Sequence, residues 1–166
     1  MPGRSYQKIT MEDLKQLGQI ARRDRENLFK RKPGLGQLYS GRLFAVALCQ
    51  GAALHYLDGK NGIKDFDVWS FYREAPERTF PYRRLVHMDF GNSKFGKTDD
   101  TPKFIGRRVD LLGRSLRATD FSDPIGVLRT YLAQGKTTSA KRLAQKAVIL
   151  IEPEAFLGSV VWPVLF

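Results

Sequence analysis

The sequence predicts a single α/β domain of the α+β kind, a mixed sheet flanked by helices, and three observations carry that expectation. At 166 residues the chain suits one core, which at that size buries roughly 70% of the unfolded surface. Apolar runs of strand length alternate with stretches of helical period. Clusters rich in glycine, proline and aspartate punctuate them.

Thr10, followed by Glu12 and Asp13, reads as a helix N-cap with acids in the first turn, and Leu14, Leu17, Ala21 and Leu28 share one helical face. "KPGLGQLYSG" interrupts that helix and, with Pro33, Gly34, Gly36 and Gly41, reads as a loop. "LFAVALC", 43–49, is a continuous apolar run suited to a strand covered on both faces. "QGAALHYL" follows as a short helix, with Gly51 permitting the tight turn into it. "KDFDVWSF" alternates as a second strand, while "RRLVHMDF", 83–90, and "RRVDLL", 107–112, read as the third and fourth. The aperiodic "GNSKFGKTDDTPKFIG" between those two reads as a mobile surface loop or a long hairpin tip.

Asp123 before Pro124 marks the start of a helix through "PIGVLRTYLA". Thr138 or Ser139 opens another, in which Leu143, Ala147 and Leu150 and then Ala144, Val148 and Ile151 form adjacent apolar stripes up to Pro153. The C-terminal helices thus span about 123–152, and the apolar tail "AFLGSVVWPVLF" is expected to dock on the domain.

Net charge is +11 and the pI near 10.0, which points to a polyanionic partner. The excess is local: residues 1–32 hold nine Lys or Arg against four acids, and residues 129–146 hold five against none. The N-terminus is polar and no apolar run reaches 18 residues, so a soluble, cytoplasmic protein with no membrane partner is expected. The single cysteine, Cys49, has no thiol partner and reads as a small core residue in a reducing compartment.

The chemistry is concentrated in "NGIKDFDVWSF". In an extended chain Asp65 and Asp67 point the same way, with Phe66 and Val68 on the opposite face. Two like charges that close repel, so their presence in an otherwise apolar strand points to a cation. Asp110 in "RRVDLL" is the preferred third carboxylate, with Asp89 in "LVHMDF" as the alternative. Aspartate oxygens suit Mg²⁺, which prefers hard ligands and shares them with substrate phosphates. Upstream, the strand, Gly turn and helix of "ALCQGAALHYL" form a phosphate-accepting geometry, because free N–H groups and the helix dipole face whatever lies before the turn.

In these elements the sequence resembles the nucleotidyltransferase superfamily of DNA polymerase beta, and more closely its AbiEii-type and minimal nucleotidyltransferases. "QGAALHYLDGKNGIKDFDV" matches the turn and the Asp-x-Asp strand in order and spacing, "RRVDLL" supplies the third acid, and the likeness covers about 43–112. The resemblance implies a nucleotidyltransferase-like domain over 1–166 that transfers a nucleoside monophosphate from a nucleoside triphosphate to an acceptor such as RNA or tRNA. A toxin role in a toxin–antitoxin or phage-defence pair, with an antitoxin protein as partner, is part of the same implication. Gly51 and Ala52 would hold phosphates through backbone amides, Asp65 and Asp67 would bind Mg²⁺, and Asp110 would complete the site and help deprotonate the attacking hydroxyl. Gln50 and Lys64 are nucleotide-binding candidates from adjacency alone. Ala52 departs from the Gly or Ser usual at the second turn position, which removes a hydroxyl that often touches phosphate.

A second class of function is a non-catalytic, basic nucleic-acid-binding module on the same fold. His55 and His87 are expected to be structural, since no nucleophile pattern accompanies them. Trp69, Phe71, Tyr72, Phe80 and Tyr82 are expected to pack in the core and its rim, with base stacking as the alternative. Paired cations such as Arg83–Arg84 and Arg107–Arg108 read as solvated faces that together favour a phosphate-rich acceptor.

Overall fold

Strand pairing, more than any single helix, decides where this chain puts its acids. The computed structural model describes residues 3–81 and 86–164. Tyr82, the Arg83–Arg84 pair and the beginning of the expected third strand lie outside the described residues. The described residues form an α+β domain: a six-stranded mixed sheet with five α-helices. Among them, no helix is long and apolar enough to cross a membrane.

Helix α1 (Met11–Arg31) opens with a capping box, in which the Asp13 N–H donates to Thr10 Oγ1 at 3.2 Å and the Thr10 N–H donates to Asp13 Oδ2 at 2.8 Å. Its buried face holds Leu14, Leu17, Ala21 and Leu28, as the spacing requires, joined by Ile20. Gly18 lets this helix approach the sheet closely, since a Cβ there would lie 2.9 Å from Ile151 Cγ2. Residues 33–39, expected as a loop, instead form α2 (Pro33–Tyr39), with Pro33 in its first turn and Leu35 and Tyr39 buried. Proline suits the first turn of a helix, and burial of two large side chains outweighs the cost of two glycines.

Strand β1 (Leu43–Cys49) is covered on both faces, as its unbroken apolar run foretells. Val46 and Leu48 join the core beneath α1 and α3 (Gln50–Asp58), whereas Ala45, Ala47 and Cys49 join the core beneath α4 (Pro124–Gln134) and α5 (Thr138–Leu143). In β2 (Phe66–Arg73), Phe66 and Val68 face the first core and Trp69 and Phe71 the second. Cys49 is fully buried as a free thiol.

Strand β3 (Val86–Asp89) pairs antiparallel with β4 (Arg108–Leu116), making residues 90–107 a long hairpin connection. That connection is pinned, with Phe95 and Thr98 buried and the buried Arg107 donating to Phe95 and Lys64 carbonyls. The helix expected through residue 152 is corrected: α5 stops at Leu143, and the rest becomes β5 (Val148–Glu152). "VILI" is a run too short to establish helical period, and its β-branched residues complete the sheet beside β1. The tail docks as expected, through β6 (Val160–Trp162) on β5.

The strand order is β3-β4-β2-β1-β5-β6. Among the described residues only β2 and β4 run parallel, and every other neighbouring pair is antiparallel. The C-terminal end of β1 therefore meets the N-terminal ends of both β2 and β5.

Candidate metal and phosphate site

The register at that sheet end assembles the site. Asp67 on β2 is paired directly with Asp110 on β4, and because directly paired residues on neighbouring strands point to the same side of the sheet the side chains share a face. On the other side of β2, Cys49 pairs with Asp67, so Gln50 and the first turn of α3 emerge next to the carboxylates. Cys49 also pairs with Val148, which sets Lys146 beside the same turn. Asp65 completes the group from the residue before β2.

Asp65, Asp67 and Asp110 each offer an oxygen within 4.8 Å of the others. Asp89 is elsewhere: its carboxylate accepts from the backbone N–H groups of Gly91, Ile105 and Gly106 at 2.8–2.9 Å and closes the hairpin connection. The preference for Asp110 over Asp89 thus agrees with the geometry. Asp89→Ala is expected to cost about 2 kcal/mol in urea unfolding by leaving these donors without their acceptor.

Arg108, two residues before Asp110 and on its face, binds across the acids. Nε donates to Asp110 Oδ1 at 2.9 Å and Nη2 to Asp65 Oδ2 at 2.6 Å, while Nη1 reaches Asp100 Oδ2 at 2.7 Å. His87, in register with Asp110, places Nδ1 2.6 Å from Asp110 Oδ1. Asp67 has neither kind of partner among the described residues. Burial first, then the charges of Asp65 and Asp110, push its carboxyl up to about 7. Burial and the Asp110 charge also raise Asp65. A mostly buried carboxylate without a donor, beside two further carboxylates, is a donor set that fits a hard divalent cation such as Mg²⁺.

The phosphate turn differs in detail from expectation. Gln50, not Gly51, takes the left-handed conformation, with φ of 63°, and Gly51 lies in the first turn of α3. A non-glycine residue in that region costs on the order of 1–3 kcal/mol and is held only where its surroundings enforce it. Here the enforcement is visible, as the Gln50 N–H donates to the Ala147 carbonyl at 3.2 Å. No side chain caps α3 at its N-terminus, and around Gly51 the nearest group to an added Cβ would be Lys146 Nζ at 3.9 Å. The first-turn amides consequently open onto a cleft of about 320 Å³, bordered by Gln50, Gly51, Ala52 and Lys64 as well as Asp65 and Asp67.

All seven residues singled out for the site are therefore brought together, Asp110 through its pairing with Asp67. Sequence reasoning missed the cations: Arg4, Arg142 and Lys146 also line the cleft, and Arg108 spans the acids. For Arg108 a signal existed, its i, i+2 spacing from Asp110 in a strand. Lys146 and Arg142 carried none, since their placement depends on β5 having joined β1. His55 is structural as expected, with Nδ1 2.7 Å from the Asn61 carbonyl and Nε2 2.9 Å from that of Gln7. His87, also expected to be structural, instead touches an acid of the site. Trp69 borders the cleft but is 94% buried, and Phe71, Tyr72 and Phe80 are core residues. Neither a protein-family model, a curated protein nor a solved structure matches this chain.

Proposed function

We propose that this chain is a Mg²⁺-dependent nucleotidyltransferase of the DNA polymerase beta-like superfamily, close to its AbiEii-type and minimal members. The observation that carries the reading is the in-register pair Asp67–Asp110, with Asp65 beside it, set against the uncapped first turn of α3. In that reading the α3 amides and Lys146 hold the triphosphate of a nucleoside triphosphate, aided by Gln50 and Lys64. Asp65, Asp67 and Asp110 would hold Mg²⁺, which when bound stabilises charge on the attacking and leaving oxygens. The acceptor hydroxyl oxygen bonds to the α-phosphorus, the bond from that phosphorus to the bridging oxygen breaks, and pyrophosphate leaves. Asp110, oriented by His87 and Arg108, takes the hydroxyl proton. The net charge of +11 favours RNA or tRNA as acceptor. A cytoplasmic setting, and a toxin role with an antitoxin partner, belong to the same proposal and rest on the resemblance.

The test is incubation of the purified protein with each α-labelled nucleoside triphosphate, Mg²⁺ and total RNA. Label is expected in RNA or protein with the parent chain and none with Asp67→Ala of unchanged fold. Equal labelling by both sinks the proposal.

One observation favours the non-catalytic module: Arg108 already neutralises Asp65 and Asp110. That reading expects RNA binding that weakens steeply with salt, survives replacement of all three aspartates, and occurs without label transfer.

A further inference from the structure

A second feature beside the cleft is not used by the transfer chemistry. Residues 3–9 form a strap that meets its edge at Arg4 and is fastened at several points. Ser5 and Ile63 form an antiparallel bridge, with N–H···O distances of 2.9 and 2.7 Å. The buried Arg107 donates to the Gly3 carbonyl, Asp99 accepts from the Gly3 N–H at 3.0 Å, and His55 holds the Gln7 carbonyl. Ser5 and Ile9 are buried, whereas the residues around and between them, Arg4, Tyr6, Gln7 and Lys8, are exposed.

Tyr6 is the unusual member. A tyrosine ring normally buries much of its apolar area, yet this one is 64% exposed on a strap that is itself immobilised. It lies against Gly62, where an added Cβ would come within 2.9 Å of both Tyr6 Cζ and Arg4 Cβ. Gly62 and Arg4 border the acid cleft, and Arg4 and Lys64 also border an adjoining cleft of about 390 Å³, so the two clefts meet at Arg4, with Tyr6 over Gly62 at the border of the first. The two acids of that second cleft are engaged, Asp99 by the Gly3 N–H and Asp100 by Arg108.

We propose that the strap is a track for single-stranded RNA, which delivers the acceptor end to the acid cleft. An exposed aromatic between two cations on a fixed backbone matches what an unpaired strand needs: a face on which a base stacks and charges for its phosphates. Duplex RNA, with its bases already stacked, gains nothing from Tyr6. Delivery to the cleft rests on the transferase reading, whereas binding to the strap does not.

The decisive experiment is fluorescence anisotropy with a labelled 12-nucleotide single strand and a blunt duplex of the same length, in EDTA, over a range of salt. The parent chain is expected to prefer the single strand. Tyr6→Ala is expected to weaken that binding by about 5- to 100-fold at an unchanged salt slope, while Tyr6→Phe retains it. Arg4→Ala with Lys8→Ala is expected to flatten the slope by about 0.7 per cation removed. Binding by Tyr6→Ala equal to that of the parent, with melting curves alike, overturns the proposal, as does equal affinity for the duplex. Tyr6-dependent binding by a parent that labels neither RNA nor protein sinks the transferase and leaves the strap standing; transfer with Tyr6-independent binding does the reverse.

Discussion

Asp67→Asn is expected to be more stable than the parent chain in Mg²⁺-free buffer at pH 8, by about 4 kcal/mol, and equal to it near pH 3. The carboxyl of Asp67 rises from 3.8 to about 7 on folding. Between those values the folded chain holds a proton that the unfolded chain has lost, so stability falls as pH rises through the window. Below it both states are protonated and nothing is lost; above it the whole penalty is present, about 1.4 kcal/mol for each pH unit of the shift. Asparagine keeps the shape and never ionises. The difference between the two urea-unfolding curves, taken from pH 3 to pH 8, reports this side chain together with the carboxylates coupled to it and cancels the distant titrating groups. Adding Mg²⁺ at pH 8 is expected to stabilise the parent and leave the variant unmoved, because a ligand raises stability only where it binds the folded state. A flat difference curve would mean that Asp67 is paired in solution and that no cation is needed there.

Arg108→Ala is the second large effect, with an expected loss of about 3–5 kcal/mol at pH 8 without Mg²⁺. The Arg108 side chain is 14% exposed and its partners Asp65 and Asp110 are 17% and 10% exposed. Removing the guanidinium leaves those carboxylates facing Asp67 with no cation between them, which is the costly way to break a buried ion pair. In the proposed reading the same change also removes the cation that would compete with the metal. Mg²⁺ is therefore expected to raise the melting temperature of Arg108→Ala further than that of the parent. An equal response in both would show that Arg108 and the metal occupy different places, and with it that Asp65 and Asp110 are not the metal's ligands.

The parts of this site that could be read from sequence are those fixed by local geometry. Asp65 and Asp67 share a face because a strand alternates, and the short apolar run around Asp110 marks a strand wherever it pairs. What could not be read depends on which strands become neighbours. Lys146 reaches Gly51 only because β5 pairs with β1, and β5 itself was obscured because its few apolar residues fit a helix as well as a strand. His87 gained its contact from the register of β3 on β4, a fact absent from "LVHMDF". Arg108 was legible in principle, by the same alternation that paired the aspartates, but it was grouped with Arg107 as a surface charge. The two differ entirely: one spans the acids, and the other is buried under the strap. In α2, glycine content outweighed a proline at a helix start, although tertiary burial of Leu35 and Tyr39 decides the outcome.

The position of β1 bears on how this domain is divided. The motif-bearing stretch, 43–112, looks self-sufficient, yet its first strand is an interior strand whose second partner, β5, arrives about a hundred residues later. A polypeptide released before β5 is made would carry an apolar strand with an open row of N–H and C=O groups, a template for pairing with other copies. The site and the protection of that edge are completed by the same event. Until the last third of the chain closes the sheet, it has neither Lys146 at its phosphate turn nor a sealed flank against aggregation.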